Sequence, residues 1–232
     1  MENICFHVIT INQNKERAER IKTLFSCLNA HYQFKYKIHY FDAIKPSWKG
    51  CLLSHLSLVR YAKRKKLPYI LICEDNLVLA RPYEKETFQN LFNFINNNTS
   101  WDVVYLGGVL TSIWQGCQKT EEQIYRTYRC HGTQVYFLSS RFYDRLLTQV
   151  DRQVAIDYNY VHLARQYIYN PFLFYRSHNL QSTINSHLDL VRIFAFHPTV
   201  FSLWEKVFFH QDIFKLVLII LGLIIIWTIK NK

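Results

Sequence analysis

The sequence predicts an α/β fold, a mostly parallel sheet with helices on both faces, followed by a C-terminal transmembrane helix. Three observations carry this. Apolar runs of strand length alternate with segments whose apolar residues recur at helical spacing, which implies crossover connections. The run Tyr69-Ile70-Leu71-Ile72-Cys73 is apolar enough to lie inside a sheet and leads straight into Glu74-Asp75-Asn76, at the strand end where open sheets bind ligands. The stretch from Leu216 to Ile229 is apolar all round, with no polar face to mark it as a packed surface helix.

Taken in order, Cys5 to Ile11 reads as the first strand, and Lys15 to Leu28 as a helix with Ala18, Ile21, Leu24, Phe25 and Leu28 on one face. Phe34, Tyr36, Ile38 and Tyr40 alternate with Lys35, Lys37 and His39, the pattern of a half-buried strand with one wet face. Leu52, Leu53, Leu56, Val59 and Ala62 follow helical spacing, and Pro68 closes that helix before the strand leading to Glu74. Phe88, Leu91, Phe92 and Ile95 form another helical stripe, stopped by the polar run 96–100. Val103 to Leu106 is a buried strand, and Gly107-Gly108 is expected to turn the backbone close to a ligand. Gln134 to Leu138 reads as a strand, while Arg141 to Val150 and Ile156 to Gln166 read as helices.

The 232 residues, half of them hydrophobic, suffice for one substantial core. The expected organisation is a catalytic domain over 1–187, an interfacial connector over 188–212 and a membrane anchor over 213–229. Lys215, Lys230 and Lys232 flank the anchor, which is somewhat short for a span unless the bilayer is thin or the lysines snorkel. A terminal anchor without an upstream signal would insert after synthesis and leave the domain cytosolic.

The net charge of +11 points to an anionic partner, either a nucleotide diphosphate or an acidic membrane surface. No zinc-finger spacing or aromatic RNA-binding signature is present, so nucleic acid is not an expected partner. Arg60, Lys63, Arg64, Lys65 and Lys66 read first as a solvated helix end whose cations suit the negative pole of the dipole. The six cysteines are scattered singly without paired metal spacing, which fits a reduced compartment. Absence of Gly-x-Ser-x-Gly and of Gly-x-Gly-x-x-Gly disfavours a serine hydrolase and a dinucleotide dehydrogenase.

Five short motifs stand in a definite order. They are Val8-Ile9-Thr10-Ile11 with Arg17, Phe41-Asp42-Ala43, Gly50-Cys51-Leu52-Leu53-Ser54-His55, Glu74-Asp75-Asn76, and Asp102-Val103-Val104-Tyr105-Leu106-Gly107. This order resembles glycosyltransferase family 25, the lipopolysaccharide and procollagen galactosyltransferase group. The resemblance continues more weakly through His131-Gly132-Thr133, Tyr136 to Ser139, Asp157-Tyr158 and Asn170-Pro171, and covers roughly residues 4 to 185. One position departs from it: the family's last acidic residue is Asn76 here.

The resemblance implies a GT-A-type nucleotide-sugar fold and transfer of a hexose, galactose or glucose, from a UDP-sugar donor to a hydroxyl on a glycan or hydroxylated side chain. It implies Mn²⁺ or Mg²⁺ as cofactor, held by Glu74, Asp75 and, more weakly, the uncharged amide of Asn76. It places Arg17, Asp42, Ser54, His55, Glu74 and Gly107 around the donor, and makes Asp157, with Asp75, a catalytic residue. Asp157 would be the general base of an inverting reaction.

Plainer readings stand beside each. Glu74 to Asn76 is a polar turn after a strand, Asp157 a helix-start residue favoured by the dipole, and Arg17 a surface cation. Asp42 reads equally as a strand-end turn, and Ser54 with His55 as a satisfied polar pair under the sheet. A catalytically silent nucleotide-sugar or glycan-binding module tethered to the membrane is the alternative to an enzyme.

Overall fold

The computed structural model describes residues 4–29, 34–80, 85–110, 117–121 and 123–177. Its first strand, β1 (Cys5–Ile11), runs parallel to β2 (Lys35–Phe41) on one side and to β3 (Tyr69–Glu74) on the other. Helix α1 (Lys15–Asn29) connects β1 to β2, and α2 (Ser47–Arg64) connects β2 to β3. The short β4 (Leu77–Leu79) and α3 (Lys85–Asn97) follow, then β5 (Val103–Leu110), the hairpin β6 (Cys117–Glu121) and β7 (Ile124–Thr127), and β8 (Cys130–Ser139). Helices α4 (Ser140–Gln149) and α5 (Ile156–Leu163), with strands β9 (Gln166–Tyr169) and β10 (Phe174–Arg176), complete the described chain.

Eight strands form one sheet in the order β2-β1-β3-β8-β5-β9-β7-β6, and β10 pairs with β4 in a separate two-stranded ladder. The parallel direction expected from the alternating elements holds for β1, β2, β3, β5, β6 and β9. Strands β7 and β8 run against them, so three ladders are parallel and four antiparallel, and the sheet is mixed.

Alternation across the pleat builds two cores. In β3, Leu71 and Cys73 face a cluster with Ile21, Phe25 and Leu28 of α1 and with Phe88, Leu91, Phe94 and Ile95 of α3. Ile70 and Ile72 face the other way, against Leu52, Leu56 and Val59 of α2, Phe142 and Leu146 of α4, and Ile156 and Tyr160 of α5. Helices therefore cover both faces, as expected.

Two local expectations are corrected. Tyr36 and Tyr40 were expected on a buried face of the second strand, yet they remain exposed because β2 is the sheet's edge; Tyr36 stacks on Phe25, with ring centroids 4.8 Å apart. Gly107 and Gly108 do not turn the chain. Strand β5 continues through them to Leu110, with register shifts against β8 on either side of Gly107.

The candidate anchor, 213–229, and the connector, 188–212, lie outside the described residues. Among the described residues no helix is long and apolar enough to cross a membrane.

Candidate active site

The strand order β2-β1-β3 creates a switch point. From β1 the chain leaves through α1 over one face to β2, then returns through α2 over the other face to β3. The carboxyl ends of β1 and β3 therefore border a crevice, the position where open α/β sheets bind ligands. A cavity of about 420 Å³ opens there, lined among others by Thr10, Arg17, Asp42, Lys45, Ser54, His55, Glu74, Asp75, Asn76 and Arg176. Seven of the expected site residues thus meet at one place.

The acidic tip of β3 is held from both sides. Thr10, near the end of β1, donates its hydroxyl to Asp75 Oδ2 at 2.6 Å, and the Arg17 guanidinium lies 3.2 Å from Asp75 Oδ1. Burial raises the Asp75 pKa more than Thr10 and Arg17 lower it. Glu74 Oε1 accepts the Thr133 hydroxyl at 2.6 Å, while Glu74 Oε2 accepts weakly from the Asn76 amide at 3.4 Å. The Asn76 side-chain oxygen, Oδ1, is buried with no hydrogen-bond partner among the described residues. An orphaned buried acceptor lining the same cavity as two carboxylates suits a hard cation, and the all-oxygen donor set of Glu74, Asp75 and Asn76 fits Mn²⁺ or Mg²⁺.

Around this tip the remaining residues divide. Arg17 is mostly buried, with part of its guanidinium fork committed to Asp75, so it is more than a surface cation. Asp42 is exposed and accepts a 2.7 Å hydrogen bond from the Asn12 side-chain amide. Ser54 returns its hydroxyl to the Gly50 carbonyl of its own helix at 2.9 Å. His55 is wholly buried, with Nδ1 2.7 Å from the Tyr136 hydroxyl; burial lowers its pKa to about 3, so the ring is neutral.

Comparison with known proteins decides the family. Residues 39–160, just over half of the chain, match the profile of glycosyltransferase family 25 (LPS biosynthesis protein). The chain belongs to glycosyltransferase family 25. No curated protein matches it by sequence. Similar solved structures include a glycosyltransferase involved in the glycosylation of the major capsid of PBCV-1, at 10% identity over 73% of this chain and 82% of that one, with a TM-score of 0.46. UDP-glucose pyrophosphorylase complexed with UDP-glucose is similar at 7% identity over 82% of this chain and 81% of that one, with a TM-score of 0.45.

The family 25 match spans the motifs from Asp42 to Asp157, but the structure gives three of their residues different surroundings. Gly107 does not line the cavity. A Cβ on it would stand 2.5 Å from the Phe174 carbonyl oxygen, so this glycine lets the start of β10 lie against β5. Asp102 is fully buried, accepting the Arg165 backbone N–H at 2.8 Å and pairing with the Arg145 and Arg165 guanidinium groups. It clamps the start of β5 to α4 and to the segment before β9.

Asp157 lies in the first turn of α5 and is not among the cavity's lining residues, though its charge acts on Cys51 and His55, which are. Its carboxylate accepts the Gly132 N–H at 3.3 Å and the Tyr158 N–H at 3.1 Å, with His131 Nδ1 at 3.6 Å. Burial alone would raise its pKa, but His131 and the two backbone donors outweigh it, and the net shift is downward. Gly132 reaches it with φ +86°, a left-handed conformation that glycine adopts freely.

Thr10, Lys45, Thr133 and Arg176 escaped the sequence reading. Thr10 and Thr133 stood inside motifs without a role of their own, and what gives them one is the hydrogen bond each donates to the acidic tip from another strand. Arg176 arrives only because β10 pairs with β4 immediately after the acidic tip.

Proposed function

We propose that this family 25 protein transfers a hexose, galactose or glucose, from a UDP-sugar to a hydroxyl of a glycan or of a hydroxylated side chain, with inversion. The observation that carries the reading is the cavity at the switch point. It sets the acceptor oxygens of Glu74, Asp75 and Asn76 beside the cations of Arg17, Lys45 and Arg176. A nucleotide diphosphate needs both: cations for its own charge, and carboxylates for the ion it brings.

Bound Mn²⁺ or Mg²⁺ would neutralise negative charge growing on the departing diphosphate. The chain's own residues do the rest. Thr10 and Arg17 hold Asp75 in one orientation, and Thr133 does the same for Glu74. Asp157, kept ionised by its N–H donors and His131, is the group to accept the proton of the incoming hydroxyl. Tyr158, half exposed and edge-on to His131, offers a ring face on the acceptor side. The segment 213–229 anchors the domain in a membrane, with the catalytic part on the cytosolic side; protease protection of sealed membranes tests that orientation.

Asn76 favours a second reading, a silent module that binds nucleotide sugar or glycan, because the amide lends a cation no charge. Release of UDP from a panel of UDP-sugars with Mn²⁺ separates the two. Turnover with one UDP-hexose, lost in Asp157→Asn while donor binding persists, supports transfer. Donor binding without release from any sugar supports the silent module.

A further inference from the structure

Cys51 and His55 lie one helical turn apart on α2 and point toward Glu74 at the end of β3. The Cys51 Sγ, a His55 ring nitrogen and a Glu74 carboxylate oxygen all lie within 4.8 Å of one another, and all three residues line the cavity. We propose that these three side chains form a second metal site, for a thiophilic divalent ion of the zinc type, which shares Glu74 with the oxygen-lined tip and differs from it in its sulfur and nitrogen donors.

The observation that points to a ligand is His55 Nε2. It is wholly buried and has no hydrogen-bond partner among the described residues; Glu74 Oε1 stands 4.0 Å away, beyond hydrogen-bond reach. On the other side of the ring, Nδ1 is 2.7 Å from the Tyr136 hydroxyl, which is itself 2.8 Å from the Tyr160 hydroxyl. With the proton on Nδ1 and donated to Tyr136, Nε2 turns a lone pair toward Cys51 and Glu74. Imidazole ligands of metals are commonly oriented by such an outer hydrogen bond. Thr133 orients Glu74 in the same way.

The donor set decides the ion. A thiolate, an imidazole and a carboxylate select zinc over the hard cations that suit Glu74, Asp75 and Asn76. Zinc bonds of about 2.0–2.3 Å place tetrahedral ligand atoms roughly 3.3–3.7 Å apart, so loading draws the three side chains inward by about 1 Å. Three protein ligands leave the fourth position facing the cavity, the pattern of an open zinc site. The inference rests on these three side chains and not on the transferase reading.

The test is titration of the metal-stripped full chain in detergent with Co²⁺, then Zn²⁺. One equivalent of Co²⁺ should produce a thiolate-to-cobalt charge-transfer band and strong tetrahedral visible bands, which one equivalent of Zn²⁺ removes. Cys51→Ser should abolish the charge-transfer band and weaken zinc binding by more than about tenfold, a loss seen even for outer-sphere changes. Cys27→Ser, at an exposed thiol, should leave both unchanged. If Cys51→Ser fails to fold, alkylation of the wild-type chain followed by mass spectrometry replaces it, with Zn²⁺ expected to shield Cys51 and not Cys27. Absence of the thiolate band in the wild type, its survival in Cys51→Ser, or equal alkylation of Cys51 with and without Zn²⁺ would overturn the site.

Discussion

Thr10 donates a 2.6 Å hydrogen bond to Asp75 Oδ2 from the neighbouring strand, and it does so at a position where the carboxylate is almost out of water. Burial opposes ionisation there, and among the described residues this hydroxyl and the Arg17 guanidinium offset it in part. The acidic tip is thus a carboxylate kept under electrostatic strain that a cation in the cavity would relieve.

Thr10→Val keeps the shape of the side chain and removes the hydroxyl. Because the bond goes to a charged, buried acceptor, unfolding free energy should fall by about 1.5–3 kcal/mol. Urea denaturation of the two proteins measures it, and a change within error would show that Thr10 does not support Asp75.

Asn76→Asp restores a carboxylate where the amide oxygen stands without a partner among the described residues. Mn²⁺ affinity should rise by at least about tenfold, since a full charge replaces a dipole on a hard cation. Titration followed by Mn²⁺ paramagnetic resonance reads it directly. Equal affinity in both proteins would remove position 76 from the ligand set.

Gly107→Ala tests packing against donor contact. A new Cβ would collide with the Phe174 carbonyl, a backbone atom with little room to yield, so stability should drop by about 1–3 kcal/mol or more. UDP affinity of the folded fraction should stay within about twofold, well under the tenfold that 1.4 kcal/mol represents. A normal melting curve with weakened UDP binding would return Gly107 to the donor site.

His7 and His39 touch across β1 and β2, Nδ1 to Nε2 at 3.0 Å, with the Tyr61 ring against both and Lys37 nearby. Burial, then the neighbouring His39 and Lys37 charges, lowers the His7 pKa from 6.5 to about 4; burial and Lys37 do the same for His39. The unfolded chain therefore binds more protons than the folded one between about pH 4 and 6.5. Stability should rise with pH across that window and be lost as pH falls through it. Melting curves from pH 4 to 7 should show a slope that His39→Gln reduces, and an unchanged slope would assign the acid sensitivity elsewhere.

Much of this site was legible because its parts lie in strong local patterns. The run 69–73 is apolar enough to lie inside a sheet, which put Glu74 to Asn76 at its carboxyl end. Helical spacing from Leu52 to Ala62 likewise put the Cys51 and His55 turn against the sheet. What was not legible depended on distant pairing. The polar hairpin β6-β7 carries no alternation to reveal it, and β4 and β10 are three residues each. Gly107 was read as a ligand glycine because a sequence shows that backbone approaches there, but not which backbone. The metal-type grouping of Cys51, His55 and Glu74 joins a helix to a strand end and has no spacing signature.

The measurement closest to the central claim is the affinity of the full chain for UDP with and without Mn²⁺, by calorimetry, in the wild type and in Glu74→Gln. A cation held at the tip of β3 predicts that Mn²⁺ tightens UDP binding by at least about tenfold, or 1.4 kcal/mol, and that Glu74→Gln removes most of the gain. Equal UDP affinity in the presence and absence of Mn²⁺, or a gain that survives Glu74→Gln, would contradict it.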